Sequence, residues 1–598
     1  MYTLGINAVY HDSAACLVED GRVLAAAEEE RFTHIKHGKR PIPFSTYELP
    51  FNAIDYCLRE AGIDLVDVDH IAYSYDPFLL LGRYSRSSTI TLPLEPSAHP
   101  VPAKWEAAWD PLFLSHIVNA PRHLAGGVPL HLQARFRGAS ANGPFRWHFV
   151  EHHTAHAASA FHASPFDQAA VLTLDGRGER ATTTYNVGLG NRLERLGQVN
   201  MPHSLGILYE QVTAYLGFLH SSDEYKVMAL ASFGKPTYLD EFRDIVRLGQ
   251  YGQYTVEPPR LQERFGPPRM KGGPLEQRHY DIAHSLQVAL EEAVLEIASW
   301  LHKASGCANL CMAGGVALNC VMNARLRDRG PFERIWVQPA AGDAGTALGA
   351  ALWIDAQERG ANERRYRMDH AFLGPAYGDA EIEQFLQWSK LPYRRLDNVA
   401  EELADILAQD KIIGWFQGRM EFGPRALGAR SILASPIHPG MQARLNDIKD
   451  REDFRPVAPV VLEEEAANWF AGAGESPSPF MLFVFDVLPD KVDRIPAVRH
   501  VDGTARIQTI NRQQHPLYYD LLKAFQARTG VPVLVNTSFN TRGEPIVCSP
   551  RDAVECFWTS PLDALAIGPF LLEKPGTGRG GSRTTGSPLG AGSPTTVG

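Results

Sequence analysis

A strand–turn–strand–turn–strand layout occurs twice in this chain, and a repeated meander restricts the fold more than any single motif does. TLGINAV, a turn at YHDS, AACLVED, a Gly turn and RVLAAAEEE form the first copy, and AAVLTLDGRGERATTTYNVGLGNRLERLG repeats it. Two such meanders predict a duplicated sheet. The turns after the first strands, Asn7 to Ser13 and Asp175 to Glu179, can present successive backbone N–H groups to phosphate oxygens. A third element, LCMAGGVALNCVMN, is a short apolar strand ending in Gly314-Gly315 and entering a helix. Missing side chains there let a nucleotide lie against backbone and helix N-terminus.

Two hairpins followed by a Gly-Gly strand-to-helix turn, in this order, point to the actin, Hsp70 and sugar-kinase type of ATPase fold, with ATP as the ligand. The chain then divides. Residues 1–355 end in the Gly/Ala-rich AAGDAGTALGAALW, the polar stretch 356–370 reads as a linker, and 371–574 alternates strands such as KIIGWF and VPVLVN with helical AEELADILAQ. Residues 575–598 have almost no apolar content and are expected to form a disordered tail. At 598 residues and 44% apolar composition the rest can bury a large core. A net charge of -10 with no Lys/Arg-rich block disfavours nucleic acid and favours a small-molecule substrate. Without an apolar run of membrane-spanning length, or a leader pattern at MYTLGINAVYHD, the expected location is the cytoplasm, with no membrane partner. Seven scattered cysteines read as reduced, and Cys307, Cys311 and Cys320 lack paired metal spacing.

VEHHTAHAASAF carries the sharpest chemical signal. On a helix His152 and His156 share one face at the spacing of a metal clamp, whereas His153 points elsewhere. Asp175 ends the apolar strand VLTLD, and Asp343 lies in the glycine-rich AAGDAGTA. Two imidazoles with two carboxylates suit Fe(II), Mn(II) or Zn(II) better than Ca(II) or Mg(II).

The HHxxHA run, LDGRGE, DEYKVMALASFG, GGVALN and GDAG, with GRMEFGPRALGARSIL and NTSFNTRGEPIV, resemble the carbamoyltransferases of nodulation-factor and antibiotic biosynthesis over nearly the whole chain except its tail. The resemblance implies an α/β protein: an N-terminal duplicated actin/Hsp70-like ATPase-type domain, similar to the tRNA threonylcarbamoyl-transferring protein, joined to a C-terminal YrdC-like α/β domain. It implies metal ligands His152, His156, Asp175 and Asp343 with iron, and Gly314, Gly315 and Asn319 holding the adenylate. The implied reaction activates carbamoyl phosphate with ATP, accompanied by Mg(II), as carbamoyl-adenylate. The carbamoyl group then passes to a hydroxyl of a small natural product, in antibiotic biosynthesis.

Lys449-x-Arg451 and Ser538-x-Asn540 resemble the paired motifs of YrdC-like proteins. Carbamoyl phosphate and ATP bring several negative charges together, so fixed cations must offset their repulsion. Arg419, Arg425, Arg430 and Arg455 surround the same motifs and are candidates to clamp phosphates, while Ser538 and Asn540 can hydrogen-bond carbamate or phosphate without adding charge. With the resemblance, His11 in the first hairpin turn is the preferred general base, and Asp12 either orients it or supports the turn. Lys226 is a candidate ligand contact and Glu224 lies beside it; an internal ion pair serves either residue equally well. The segment 77–144, rich in Pro and aromatic residues, is expected to cover the acceptor pocket, whose ligand the sequence does not choose. A homo-oligomer stays open. Two rivals remain: a tRNA-modifying relative, disfavoured by the charge, and a non-catalytic ATP switch, which leaves the histidine pair unexplained.

Overall fold

The computed structural model describes residues 1–38, 49–81, 111–126, 145–360, 364–541 and 543–574. The predicted tail, 575–598, and most of the segment 77–144 lie outside them.

The duplication is present in the sheets. Strands β1 (Tyr2–Asn7), β2 (Ala14–Glu19), β3 (Arg22–Glu28), β4 (His70–Tyr73) and β5 (Arg146–Phe149) form a sheet of order β3-β2-β1-β4-β5. The meander strands are antiparallel, whereas β4 and β5 run parallel to β1. Strands β6 (Gln168–Leu174), β7 (Ala181–Leu189) and β8 (Arg192–Asn200) make the second meander, and the hairpin β9 (Val246–Leu248) and β10 (Tyr254–Val256) is inserted after it. With β11 (Asn309–Ala313) and β12 (Arg334–Val337) the second sheet has order β8-β7-β6-β11-β12, the same sequence of directions as the first. This is the predicted duplicated sheet of the first unit.

Five helices position the chemistry of this unit: α1 (His152–Phe161), α2 (Glu224–Ala231), α3 (Gln277–Ser305), α4 (Cys320–Arg329) and α5 (Ala344–Arg359). Helix α5 packs against both β1 and α1. Its approach to α1 depends on Gly349, where a Cβ would stand 1.8 Å from the Ala155 carbonyl oxygen and 2.7 Å from the Ser159 nitrogen. Both obstacles are backbone, so neither helix can yield locally. Gly349→Ala is expected to lower stability by about 3 kcal/mol, the upper end of overpacking costs, and to weaken metal retention by moving Asp343 away from α1. A chemical-denaturation midpoint equal to that of wild type would contradict this packing.

The second unit is an eight-stranded mixed sheet of order β13-β22-β21-β14-β15-β20-β16-β19. Its strands are β13 (Arg394–Arg395), β14 (Ile413–Phe416), β15 (Arg430–Ala434), β16 (Ala458–Leu462), β19 (Gln508–Ile510), β20 (Val533–Ser538), β21 (Ala564–Ile567) and β22 (Phe570–Glu573), while β17 (Val484–Asp486) pairs separately with β18 (Thr504–Arg506). Helices α6 (Val399–Ala408), α7 (Met441–Ile448) and α8 (Pro516–Thr529) accompany it, and α6 packs on α8. The expected strands KIIGWF and VPVLVN are β14 and β20, so this unit has the predicted α/β layering.

The stretch between the units is less free than its polarity suggests. Helix α5 continues to Arg359, and Arg364 donates to the carbonyls of Phe161, Ser164 and Phe166. Met368, Leu373, Phe422, Leu427, Ala458 and Leu482 pack into the core of the first unit, giving one continuous apolar seam. A buried clasp reinforces it: Arg31 bonds Glu28 at 2.9 Å and the Gly423 carbonyl at 2.9 Å, while the Gly423 N–H donates to the same Glu28 carboxylate at 2.9 Å. Among the described residues no helix is long and apolar enough to cross a membrane.

Candidate active site

Helix α1 begins at His152, whose N–H donates to both oxygens of Glu179 at 3.0 and 3.2 Å. A carboxylate at that position complements the helix dipole and seats the helix under the LDGRGE turn. His152 and His156, one turn apart, bring their Nε2 atoms to 3.1 Å. His152 Nε2 is 3.6 Å from Asp175 Oδ2 and 3.5 Å from Asp343 Oδ1; His156 Nε2 is 4.0 Å from Asp175 Oδ1 and 3.6 Å from Asp343 Oδ1. All four residues are buried, and their donor atoms lie within 4.8 Å of one another.

The surroundings fix these donors. Asp175, after β6, accepts the Gly315 N–H at 2.7 Å, and Asp343 stands at the start of α5. His152 Nδ1 lies 3.3 Å from the Ser74 carbonyl, a contact in which the ring nitrogen donates and leaves the Nε2 lone pair facing the cluster. Burial presses the His152 pKa down, yet Asp343 and Asp175 hold it well above the ordinary imidazole value. The centre therefore attracts positive charge, and two nitrogens with two oxygens fit a divalent first-row transition metal. His153 is directed away, bonding Thr173 at 2.7 Å.

His11 borders this cluster. Its Nε2 is 3.9 Å from Asp343 and its Nδ1 is 2.9 Å from Asp12. Burial lowers the His11 pKa, but Asp343 and Asp12 outweigh it and raise the value to about 10. Asp12 also accepts from His37 at 2.7 Å, and His37 reaches Ser222 at 3.0 Å. His37, in HIKHGKR, matches no motif.

The Gly-Gly turn differs in detail from expectation. Gly314, at φ 96, would place a Cβ 2.1 Å from the Leu174 oxygen, so only glycine fits. Its N–H donates to the Ala341 carbonyl at 2.8 Å, and that of Gly315 to Asp175, so neither N–H is free for a ligand at this turn. A short 3₁₀ turn intervenes before α4, and Asn319 caps that helix, accepting the Met322 N–H at 3.0 Å and donating to Gln287 at 2.8 Å. Its amide is engaged in capping, not aimed at a nucleotide.

In the second unit the two motif pairs meet. Lys449 Nζ donates to Ser538 O at 2.5 Å, Ser538 Oγ at 3.1 Å, Asn540 O at 3.1 Å and Asn540 Oδ1 at 2.6 Å. Arg451 is braced by Asn446 at 2.7 Å, and Arg455 lies 4.7 Å over the Tyr225 ring. Burial, and then neighbouring cations, push the pKa of Lys449 well below the ordinary lysine value and bring those of Arg425 and Arg451 down to about 9. Arg506 joins them; the Nε atoms of Arg425 and Arg506 are buried with no hydrogen-bond partner among the described residues. Cations that suppress one another's charge form a basin for an anion.

Three expected ligand contacts lie elsewhere. Arg419 donates to the carbonyls of Leu24, Leu373 and Gly374 and to the Tyr56 hydroxyl, so it braces the seam between the units. Arg430 is fully buried, donates to the carbonyls of Pro375, Gln417, Gly418 and Ala429, and stacks 3.7 Å over Phe416. Lys226 pairs with Asp223 at 3.2 Å and Glu452 at 2.8 Å, the internal alternative. Glu224 accepts the Ser221 N–H at 2.7 Å. Glu421, which no motif marks, accepts the N–H groups of Leu427, Ala429 and Arg430 on its Oε1, folding the loop that carries Arg425.

Segment 222–226 joins the two regions, since Ser222 touches His37, Tyr225 underlies Arg455 and Lys226 holds Glu452.

A family model described as Carbamoyltransferase N-terminus matches residues 2–80 and 143–352, and one described as Carbamoyltransferase C-terminus matches 404–574. An uncharacterized protein of Synechocystis sp. is 42% identical, covering 96% of this chain and 97% of its own. The nodulation protein NolNO of Sinorhizobium fredii is 40% identical over 95% of this chain and 80% of its own, and NolO of Bradyrhizobium diazoefficiens 43% identical over 71% and 79%.

Proposed function

Because the chain belongs to the carbamoyltransferase family and is thus a carbamoyl-transferring enzyme, we propose that it performs two half-reactions, activation in the unit 371–574 and transfer in the unit 1–355. In activation, carbamoyl phosphate loses its phosphate to water, and the resulting carbamate oxygen attacks the α-phosphorus of ATP, expelling pyrophosphate. The products are carbamoyl-adenylate, phosphate and pyrophosphate. Lys449, Arg425, Arg451, Arg455 and Arg506 offset the phosphate charges, while Ser538 and Asn540, held by Lys449, hydrogen-bond the carbamoyl group. ATP enters with Mg(II).

The acceptor is a hydroxyl of a small natural product, with antibiotic biosynthesis as the setting, and the metal is Fe(II) on His152, His156, Asp175 and Asp343. When bound, such an ion supplies Lewis acidity toward the activated group. His11 Nε2, on the edge of that cluster, would take the proton of the attacking hydroxyl once a dication held by Asp343 offsets the carboxylate charge that otherwise keeps the imidazole protonated, and Asp12 holds its ring. The cytoplasm suits seven cysteines that are all free.

The observation that carries this reading is the cation basin bordered by segment 222–226, whose other end touches the His11 environment. Given ATP and carbamoyl phosphate without acceptor, wild-type protein should release pyrophosphate. His11→Asn should keep that release and lose acceptor carbamoylation by about 10²–10⁴-fold. Equal loss of both activities in a folded variant would move His11 to nucleotide binding.

A further inference from the structure

A second group of potential ligands lies at the far end of α5 from Asp343. Strands β4 and β5 are parallel, with Ala72 opposite His148 and His70 opposite Arg146. Partners in register share a face and side chains alternate along a strand, so His70, Ala72, Arg146 and His148 project from one side of the sheet. Helix α5 covers that side, packing Ala350 and Ile354 against Ala72 and Val150. Glu358, one turn beyond Ile354, is carried to the margin of this apolar contact, above the two histidines.

His70 Nδ1 and His148 Nε2 are 3.0 Å apart with ring centroids 5.2 Å apart, and donor atoms of His70, His148 and Glu358 all lie within 4.8 Å of one another. His70 is only 7% exposed. A close nitrogen–nitrogen contact requires at least one neutral ring, the form that ligates metals. Arg146 Nη1 donates to Glu358 Oε2 at 2.9 Å, the outer bond that steadies a ligating carboxylate. Each ligand stands on a regular element, two strands and a helix, so the arrangement is stiff before any ion arrives.

We infer that His70, His148 and Glu358 form a second metal site, separate from the His152 centre, for a Zn(II)-class dication. Two imidazoles and one carboxylate leave a fourth tetrahedral position for water. Glu358 and Asp343 lie on the same helix, so an ion here pins the C-terminal end of the element whose N-terminal end supplies the first centre.

The test uses the full chain, stripped with chelator and titrated with Zn(II) by calorimetry, with Co(II) absorption reporting coordination. Wild type should take up two equivalents. His148→Ala should lose one and much of the Zn(II)-induced rise in melting temperature, whereas His156→Ala should lose the other. Glu358→Gln, which keeps size and hydrogen bonding, covers the case in which His148→Ala fails to fold, and should weaken that equivalent by at least tenfold. Uptake of a single equivalent that persists in His148→Ala or Glu358→Gln and disappears in His156→Ala would overturn the inference. A single equivalent with the opposite pattern would support it and count instead against the His152 centre.

Discussion

Replacing Lys449 with Met is expected to stop pyrophosphate release by about 10²–10³-fold or more while leaving the protein folded. The two effects separate because of where Lys449 sits. It is buried beside Arg451 and Arg455, and its acceptors are neutral oxygens of Ser538 and Asn540. A buried cation without a carboxylate partner costs desolvation energy, so an apolar side chain of similar length should fold as well or better. Catalysis loses twice, through a missing positive charge for the phosphates and through release of Ser538 and Asn540 from their common anchor. Pyrophosphate assays beside a urea denaturation curve test this. Wild-type release rates in a stable Lys449→Met would remove the residue from the activation chemistry, and lost stability with proportionate loss of activity would make its role structural.

The second large effect concerns the buried histidine pair. His156→Ala should reduce bound transition metal at this centre from about one per chain to near none, because a site of four donors loses one and exposes Asp175 and Asp343 to each other's charge. Acceptor carbamoylation should fall with the metal, whereas acceptor-free pyrophosphate release should persist, since activation is assigned to the other unit. Elemental analysis after dialysis, read with both assays, distinguishes the outcomes. Equal metal content in wild type and His156→Ala at this centre would sink the ligand assignment.

Much of this arrangement was legible in the chain because it is encoded locally. The meanders declare themselves by strand length and turn residues, and the histidine pair by its helical spacing. Lys449-x-Arg451 and Ser538-x-Asn540 could be matched as motifs, though only the fold brings them within bonding distance. What escaped depends on partners distant in sequence. Arg506 stands on the three-residue strand β18 with no flanking signature, and His70 meets His148 only because β4 pairs with β5. Arg419 and Arg430 depart from the phosphate-clamp expectation for the converse reason. An arginine within a Gly- and Pro-rich motif advertises a phosphate clamp, but its donors can equally serve carbonyls that irregular backbone leaves without ladder partners. Glu421 was hidden by its role, since a carboxylate that gathers three amides leaves no spacing pattern.

The clasp at Glu28, Arg31 and Gly423 also bears on how such proteins diversify. The first unit contributes the buried Glu28–Arg31 pair and the second the Gly423 carbonyl and N–H that complete its hydrogen bonding, so exchanging one unit for a relative's without its matching surface would leave the buried pair short of two hydrogen bonds. Drift on one side of the seam is tolerable only when the other side follows. Remodelling within one unit therefore disturbs this contact less than exchanging whole units does.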